Sequence, residues 1–255
     1  MAPLLELHDI NYAYHSIHAE TYALSNISFT VNDGEFIAIV GPSGCGKSTL
    51  LSLICGLLTP ESGRILLHGR DIKEAQNEIG YMLQKDHLFE WRSIYRNIIL
   101  GLEIQKKVNA ETIKQVTQML DTYGLSKFRN SRPSQLSGGM RQRAALIRTL
   151  ALAPELLLLD EPFSALDYQT RLSVCDDIAA IIKKEHKTAI LVTHDLAEAI
   201  SVADRVVLLT SRPAQIKSII PIHIDLPERT PLKSRNTSEF KDYFNKIWKE
   251  LKPND

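Results

Sequence analysis

Cysteine is scarce: 255 residues hold only Cys45, Cys55 and Cys175, at spacings that match neither a zinc site nor a disulfide framework. That excludes a stapled secreted scaffold and fits a reducing compartment, with all three thiols structural. Surplus charge is lacking too. Lys plus Arg number 30 and Asp plus Glu number 30, so the diffuse basic field of a nucleic-acid binder is missing and any affinity for phosphate has to be local. Nothing approaches the ~20 apolar residues a membrane span needs. The apolar stretch Ala144 to Leu159 is interrupted by Arg148, Pro154 and Glu155. The opening MAPLLELHDI carries acid and histidine early and has no basic leader before an apolar run, so no secretory signal is expected. Repeats and low-complexity segments are missing as well. These absences point to a cytosolic chain, still free to dock on a membrane partner.

What is there suits one large α/β domain with an appended subdomain. Leu4 to Ile10 and Ile27 to Val31 alternate apolar with polar residues and read as half-buried strands, whereas Phe36 to Val40 is a continuous apolar run suited to a central strand. Lys47 to Leu58 has no internal breaker and places Leu50, Leu51, Ile54 and Leu58 at helical spacing. Short strands are expected at Ile65 to Leu67 and Ile79 to Leu83, then a largely helical stretch from about Arg92 to Leu152. Leu156 to Leu159, Ala189 to Val192 and Val206 to Leu209 alternate with helical segments, the pattern that builds a parallel sheet. Ile220, Ile222, Ile224 and Leu226 suggest a late edge strand, and Pro227 to Arg235 a polar linker. A last helix carries Phe240, Tyr243, Phe244, Ile247, Trp248 and Leu251 on one face, with Asn236 and Glu239 as its amino-terminal cap. That stripe is expected to pack on the chain's own core; a partner-binding face is the alternative.

Chemistry concentrates at three places. Gly41, Pro42, Ser43, Gly44, Cys45, Gly46, Lys47, Ser48 and Thr49 follow a strand and open a helix, the context in which backbone N–H groups and a helix terminus converge on an anion. Lys47 then reaches the outer phosphates and the Ser48 hydroxyl a Mg²⁺ ion; Cys45 stands at a variable position of the motif. Four leucines before Asp160-Glu161 describe a buried strand that points two acids at the same end of the sheet. Asp160 fits a carboxylate for the metal and Glu161 a group that polarises water for in-line attack. A chance glycine turn and a helix-capping acid pair are the bland alternatives. Kinases, GTPases, helicases and chaperone ATPases share this much. The third place narrows the choice: Leu136-Ser-Gly-Gly-Met-Arg-Gln-Arg143 opens another helix, and so a second anion-binding terminus. His194, after an apolar strand, is placed for a phosphate contact unless it is a satisfied core histidine.

With these residues the sequence resembles the ATP-binding cassette family over nearly its whole length, Leu136 to Met140 corresponding to the signature LSGGQ. Gln84 matches the family's Q-loop, Ser164 to Asp167 its D-loop, His194 its switch histidine, and Tyr14 its adenine-stacking aromatic, with Tyr12 or Tyr22 able to take that place. Met140 departs from the usual glutamine and removes an amide that donates and accepts. The resemblance implies a P-loop NTPase cassette: a RecA-like wound α/β sheet, an antiparallel β subdomain, and a helical subdomain at about 88–152 carrying the signature. It implies an ATPase domain over 1–226, with linker and amphipathic helix at 227–255 packed on it. It further implies ATP and Mg²⁺ (held by Ser48, Gln84 and Asp160), catalysis by Glu161 with His194 and Gln84, and a head-to-tail dimer in which Ser137, Gly138 and Gly139 complete the partner's site. LFEWRS, QLSGGMRQRAAL, DEPFSALD, THDLAEAI and ADRVVLLTSRP resemble ATPase subunits of nitrate, sulfonate and taurine importers, a group that includes carriers of vitamin or pyrimidine precursors. Such a subunit sits at the cytoplasmic face of the membrane beside separate permease subunits, is served indirectly by an extracytoplasmic solute-binding protein, and needs no nucleic acid. Phe89 and Trp91 either form a groove for a permease helix or pack in the core. A non-transport cassette ATPase would require long coiled-coil insertions or a second cassette, and a P-loop kinase would have no use for LSGGM.

Overall fold

The computed structural model describes residues 2–17, 19–226 and 229–251. The unbroken apolar runs become strands buried on both faces: β3 (Phe36–Val40), β7 (Leu156–Asp160), β8 (Thr188–Val192) and β9 (Arg205–Leu209). With β6 (Ile79–Met82) and β10 (Ile216–Pro221) they form a six-stranded sheet in the order β10-β9-β3-β8-β7-β6. Every pairing is parallel except β9 with β10. Alternate side chains of the same strand serve different cores. Ile37, Ile39, Leu156 and Leu158 pack with α1 (Lys47–Ile54), whereas Ala38, Val40, Leu157 and Leu159 pack with the helices on the other face.

A second sheet is antiparallel, in the order β2-β1-β4-β5, from β1 (Leu5–His15), β2 (Glu20–Val31), β4 (Ser62–Leu67) and β5 (Arg70–Asp71). The first two strands outrun the alternation read from sequence. A register shift between Leu7 and Ile10, with Asp9 at φ +49, resets which side faces inward. The predicted helical stretch is several pieces: α2 (Ile94–Ile98), α3 (Leu100–Ile104), α4 (Ala110–Thr122) and α5 (Gly138–Leu150). Asn109 and Thr112 exchange hydrogen bonds that start α4 (3.0 Å each). Buried Leu102, Val116, Leu120 and Leu150 tie these pieces to one core. α6 (Tyr168–Lys184) and α7 (Leu196–Val202) complete the crossovers between the parallel strands.

Four expectations need correction. α1 ends at Ile54 rather than Leu58, because Gly56 turns the chain at φ +73 and Leu58 N–H returns to Ser52 O (3.0 Å). The late strand lies at Ile216–Pro221, not Ile220 to Leu226: β9 begins at Arg205, so beyond the bond from Ile222 N–H to Asp204 O there is no strand left to pair with. Ile222 and Ile224 are nonetheless buried, so the alternation reported sidedness rather than pairing. The polar linker contains a short helix, α8 (Pro231–Ser234), capped by Thr230; Pro227 and Glu228 lie outside the described residues. α9 (Ser238–Leu251) is capped by Thr237, which accepts from Phe240 N–H at 3.2 Å, and not by Asn236, whose amide turns back to Leu232 O. Phe240 and Ile247 of α9 are buried in the main core, while Trp248 is half exposed. Among the described residues no helix is long and apolar enough to cross a membrane.

Candidate active site at the carboxyl ends of the parallel strands

Four adjacent strands end together. The loop Gly41 to Gly46 leaves β3, Asp160 closes β7, Thr193 and His194 follow β8, and Gln84 follows β6. A wound parallel sheet opens its ligand crevice at this end. The loop fits between β3 and α1 only because of its composition. Gly46 sits at φ +126, and a side chain there would meet Leu24 Cδ2 at 2.9 Å and Ala23 O at 3.1 Å. Buried Lys47 folds its ammonium over the loop, donating to Gly41 O (2.9 Å) and Pro42 O (3.0 Å). Ser43, Gly44, Gly46, Lys47, Ser48 and Thr49 face Glu161 and His194 across a cleft of about 440 Å³.

The acid pair divides as its burial dictates. Asp160 is buried, accepting from Ser48 Oγ (3.1 Å) and Tyr81 Oη (3.2 Å). Burial raises its pKa, and the neighbouring Glu161 charge adds to the rise against those two hydrogen bonds and Lys47. Tyr81 is held protonated, first by burial and then by the Asp160 charge. Glu161 stands in the left-handed region at φ +44, which costs a non-glycine residue about 1–2 kcal/mol, and a bond from its N–H to Val192 O (2.8 Å) holds it there. That turn aims its carboxylate out of the sheet, where His194 Nδ1 lies 3.1 Å away and Gln84 Nε2 donates at 3.3 Å. Ser164 Oγ also accepts from Gln84 (3.3 Å) and donates to Glu161 O (3.0 Å).

Other predicted residues fall at the rim or elsewhere. Tyr14 Oη is 2.9 Å from Thr49 Oγ1, and its ring, 44% exposed, stands edge-on to Tyr12. Tyr22 instead bonds Glu20. Ser137 caps α5 by accepting from Met140 N–H (3.3 Å), but neither it nor Gly138 or Gly139 lines the Lys47 cleft. A side chain at Gly139 would meet Val174 Cγ2 at 2.6 Å, so α5 and α6 could not pack as they do. Met140 packs against the helical core. Cys45 and Cys175 are buried, Cys55 is half-buried and none is paired; burial raises the pKa of each.

With this geometry, residues 24–164 match the family model described as ABC transporter. The chain belongs to the ABC transporter family. As an ABC-type ATPase it is 46% identical over 247 residues to the ABC transporter ATP-binding protein YtlC of Bacillus subtilis, covering 97% of this chain and 95% of that one. It is 38% identical to the aliphatic sulfonates import ATP-binding protein SsuB of Bacillus licheniformis (91% and 88% covered) and 38% to the nitrate import ATP-binding protein NrtD of Synechocystis sp. (95% and 93%). The fold matches the dimeric post-hydrolysis ATP-binding cassette MJ0796 bound to ADP and Pi at 27% identity and a TM-score of 0.73, over 87% of this chain and 100% of that one.

Sequence reading missed several residues in this cassette. Tyr81 reads in the sequence only as part of a strand, yet it reaches Asp160. Glu198, buried in α7, accepts from Thr193 Oγ1 (2.6 Å) and so fixes the segment that carries His194; burial raises its pKa. On the far side of the Gln84 segment, Arg141 bonds Asp86 (3.0 Å) and Arg148 bonds the carbonyls of Asp86 (2.7 Å) and His87 (2.8 Å), stapling that segment to α5. Only Tyr81 carried a signal, being the one polar side chain in the apolar run Ile79 to Leu83.

Proposed function

We propose that this ATPase drives import of a small solute through separate membrane subunits, with Glu161 polarising the attacking water. The observation that carries the catalytic part is the Glu161 carboxylate, turned out of the sheet by a left-handed backbone and engaged by both His194 and Gln84. Those two groups fix its direction, so it needs little reorganisation when a water lies against it. Lys47 and the loop N–H groups bind the phosphates, and Tyr14 carries the adenine at the rim, tethered to the first turn of α1 through Thr49. The Ser48 hydroxyl and Asp160 carboxylate, 3.1 Å apart, form an all-oxygen pair of the kind Mg²⁺ selects, and Gln84 would offer its amide oxygen beside them. Bound there, the ion would neutralise charge on the outer phosphates.

Ser137, Gly138 and Gly139 lie outside the cleft of their own chain. We assign them to the nucleotide of a second, head-to-tail copy, supported by the dimeric state of the MJ0796 cassette. The importer assignment draws on the likeness to the sulfonate and nitrate import proteins and on the exposed ring pair Phe89 and Trp91, 4.7 Å between centroids, just past Gln84. We place this pair against a permease helix, at the cytoplasmic face of the membrane; the solute, delivered by its binding protein, is of the sulfonate or nitrate class.

Glu161→Gln keeps the size of the side chain but removes its charge and turns one acceptor oxygen into a donor. Turnover should fall at least about 100-fold, the scale of a lost general base, with ATP binding retained and an ATP-bound dimer accumulating on gel filtration. Turnover near the parent rate would remove Glu161 from the reaction.

A further inference from the structure

The turn between β9 and β10 carries an arginine that neither the glycine-rich motif nor the acid pair explains. Arg212 donates to the Gly44 carbonyl from Nε (3.1 Å) and from Nη2 (2.6 Å), and it lines the same cleft as Lys47, Ser48, Glu161 and His194. Its place is set by the fold. On one side β9 pairs with β3, the strand that leads into the loop. On the other, Ala214 exchanges backbone bonds with β2, from Ala214 N–H to Ala23 O and from Ser25 N–H to Ala214 O (2.9 Å each). Ala23 and Leu24 are also the residues on which the loop rests at Gly46. The β9–β10 turn and the phosphate loop therefore share a support, and Arg212 closes the circuit between them.

We propose that Arg212 is a positioning residue for the nucleotide phosphates. Its planar fork takes both bonds to one carbonyl, which a lysine's single ammonium does not reproduce. Held from outside, the Gly44 carbonyl keeps its peptide plane fixed, and with it the N–H of Cys45 on the same peptide, which bonds Pro42 O across the loop (3.2 Å). Its own charge stands at the rim of a cleft that receives a polyanion, where Lys47 is already committed deep in the loop. Both effects act on binding before they act on chemistry.

The proposal rests on the cleft being the ATP site, and the test separates the two claims. Affinities of the full chain for ADP and a non-hydrolysable ATP analogue are measured by displacement of a fluorescent nucleotide at several salt concentrations, for the parent, Arg212→Met, Arg212→Lys and Lys47→Ala. Arg212→Met should weaken both nucleotides about 5- to 10-fold, the scale of one charge-assisted contact, and flatten the dependence on salt. Arg212→Lys should recover the salt dependence but only part of the affinity, and KM for ATP should rise by a larger factor in both than kcat falls. Parent affinity and parent salt dependence in Arg212→Met, with binding lost in Lys47→Ala, would overturn the role of Arg212 alone. Binding retained in Lys47→Ala would overturn the cleft itself. A variant with lowered Tm but an unchanged salt dependence would reduce Arg212 to a brace for the turn.

Discussion

At the scale of single residues, polar groups without a motif do much of the positioning. Asn97 is fully buried, accepts from Phe89 N–H (2.7 Å), and donates to Phe89 O (3.1 Å) and Ser93 O (3.0 Å). It ties down the loop that presents Phe89 and Trp91. Asn97→Ala strands those backbone groups, and a cost on the order of 2 kcal/mol follows, or roughly 4–8 °C in Tm for a chain of this size. Thermal unfolding checks it, and a drop under one degree would mean that water replaces the amide. Phosphate loop, acid pair and signature were legible because their chemistry demands fixed residue types at fixed spacing. Asn97, Glu198 and Arg212 were not: Asn97 and Glu198 meet groups a few residues off, at spacings no motif fixes, and Arg212 meets Gly44, far away in the chain.

At the scale of elements, the helices packed beside α5, which carries the signature, are held by ion pairs as well as by apolar contacts. Glu103 of α3 receives Arg92 (2.5 Å) and Arg96 of α2 (3.0 Å), and these hydrogen bonds lower its pKa, Arg92 foremost. A depressed carboxylate adds stability that is complete above its unfolded pKa and disappears as pH falls through the lower folded value. Glu103→Gln should therefore lower Tm by about 1–2 °C near neutrality, the worth of a pair partly open to solvent. The difference should vanish on acidification below the ordinary glutamate range. A gap between parent and variant that persisted in acid would place the effect in packing rather than charge. Element type was legible where the pattern was strong, as an unbroken apolar run in β3 and β7 and as a long one-sided stripe in α9. Boundaries were set by residues elsewhere: the start of β9 decides where β10 stops, and Gly56 decides where α1 does.

At the scale of the whole molecule, the signature lies outside the Lys47 cleft of its own chain. Ser137→Arg adds bulk and charge where we assign the second copy, at a position that does not line the Lys47 cleft. Ser137→Arg should abolish ATP hydrolysis, leave ATP binding by the single chain within twofold, and prevent the dimer that Glu161→Gln accumulates when the two changes are combined. A Ser137→Arg chain that still hydrolyses ATP would remove the signature from the reaction. The class of fold was legible because strands and helices alternate along the sequence; the sharing of one sheet between two cores was not. Neighbouring leucines of β7 belong to opposite cores, joined by nothing but backbone. The sheet is thus a common wall, and neither room can lose it alone: melting on one side strips the other of its boundary, so the two halves stand or fall as one thermodynamic unit even though no side chain is common to both.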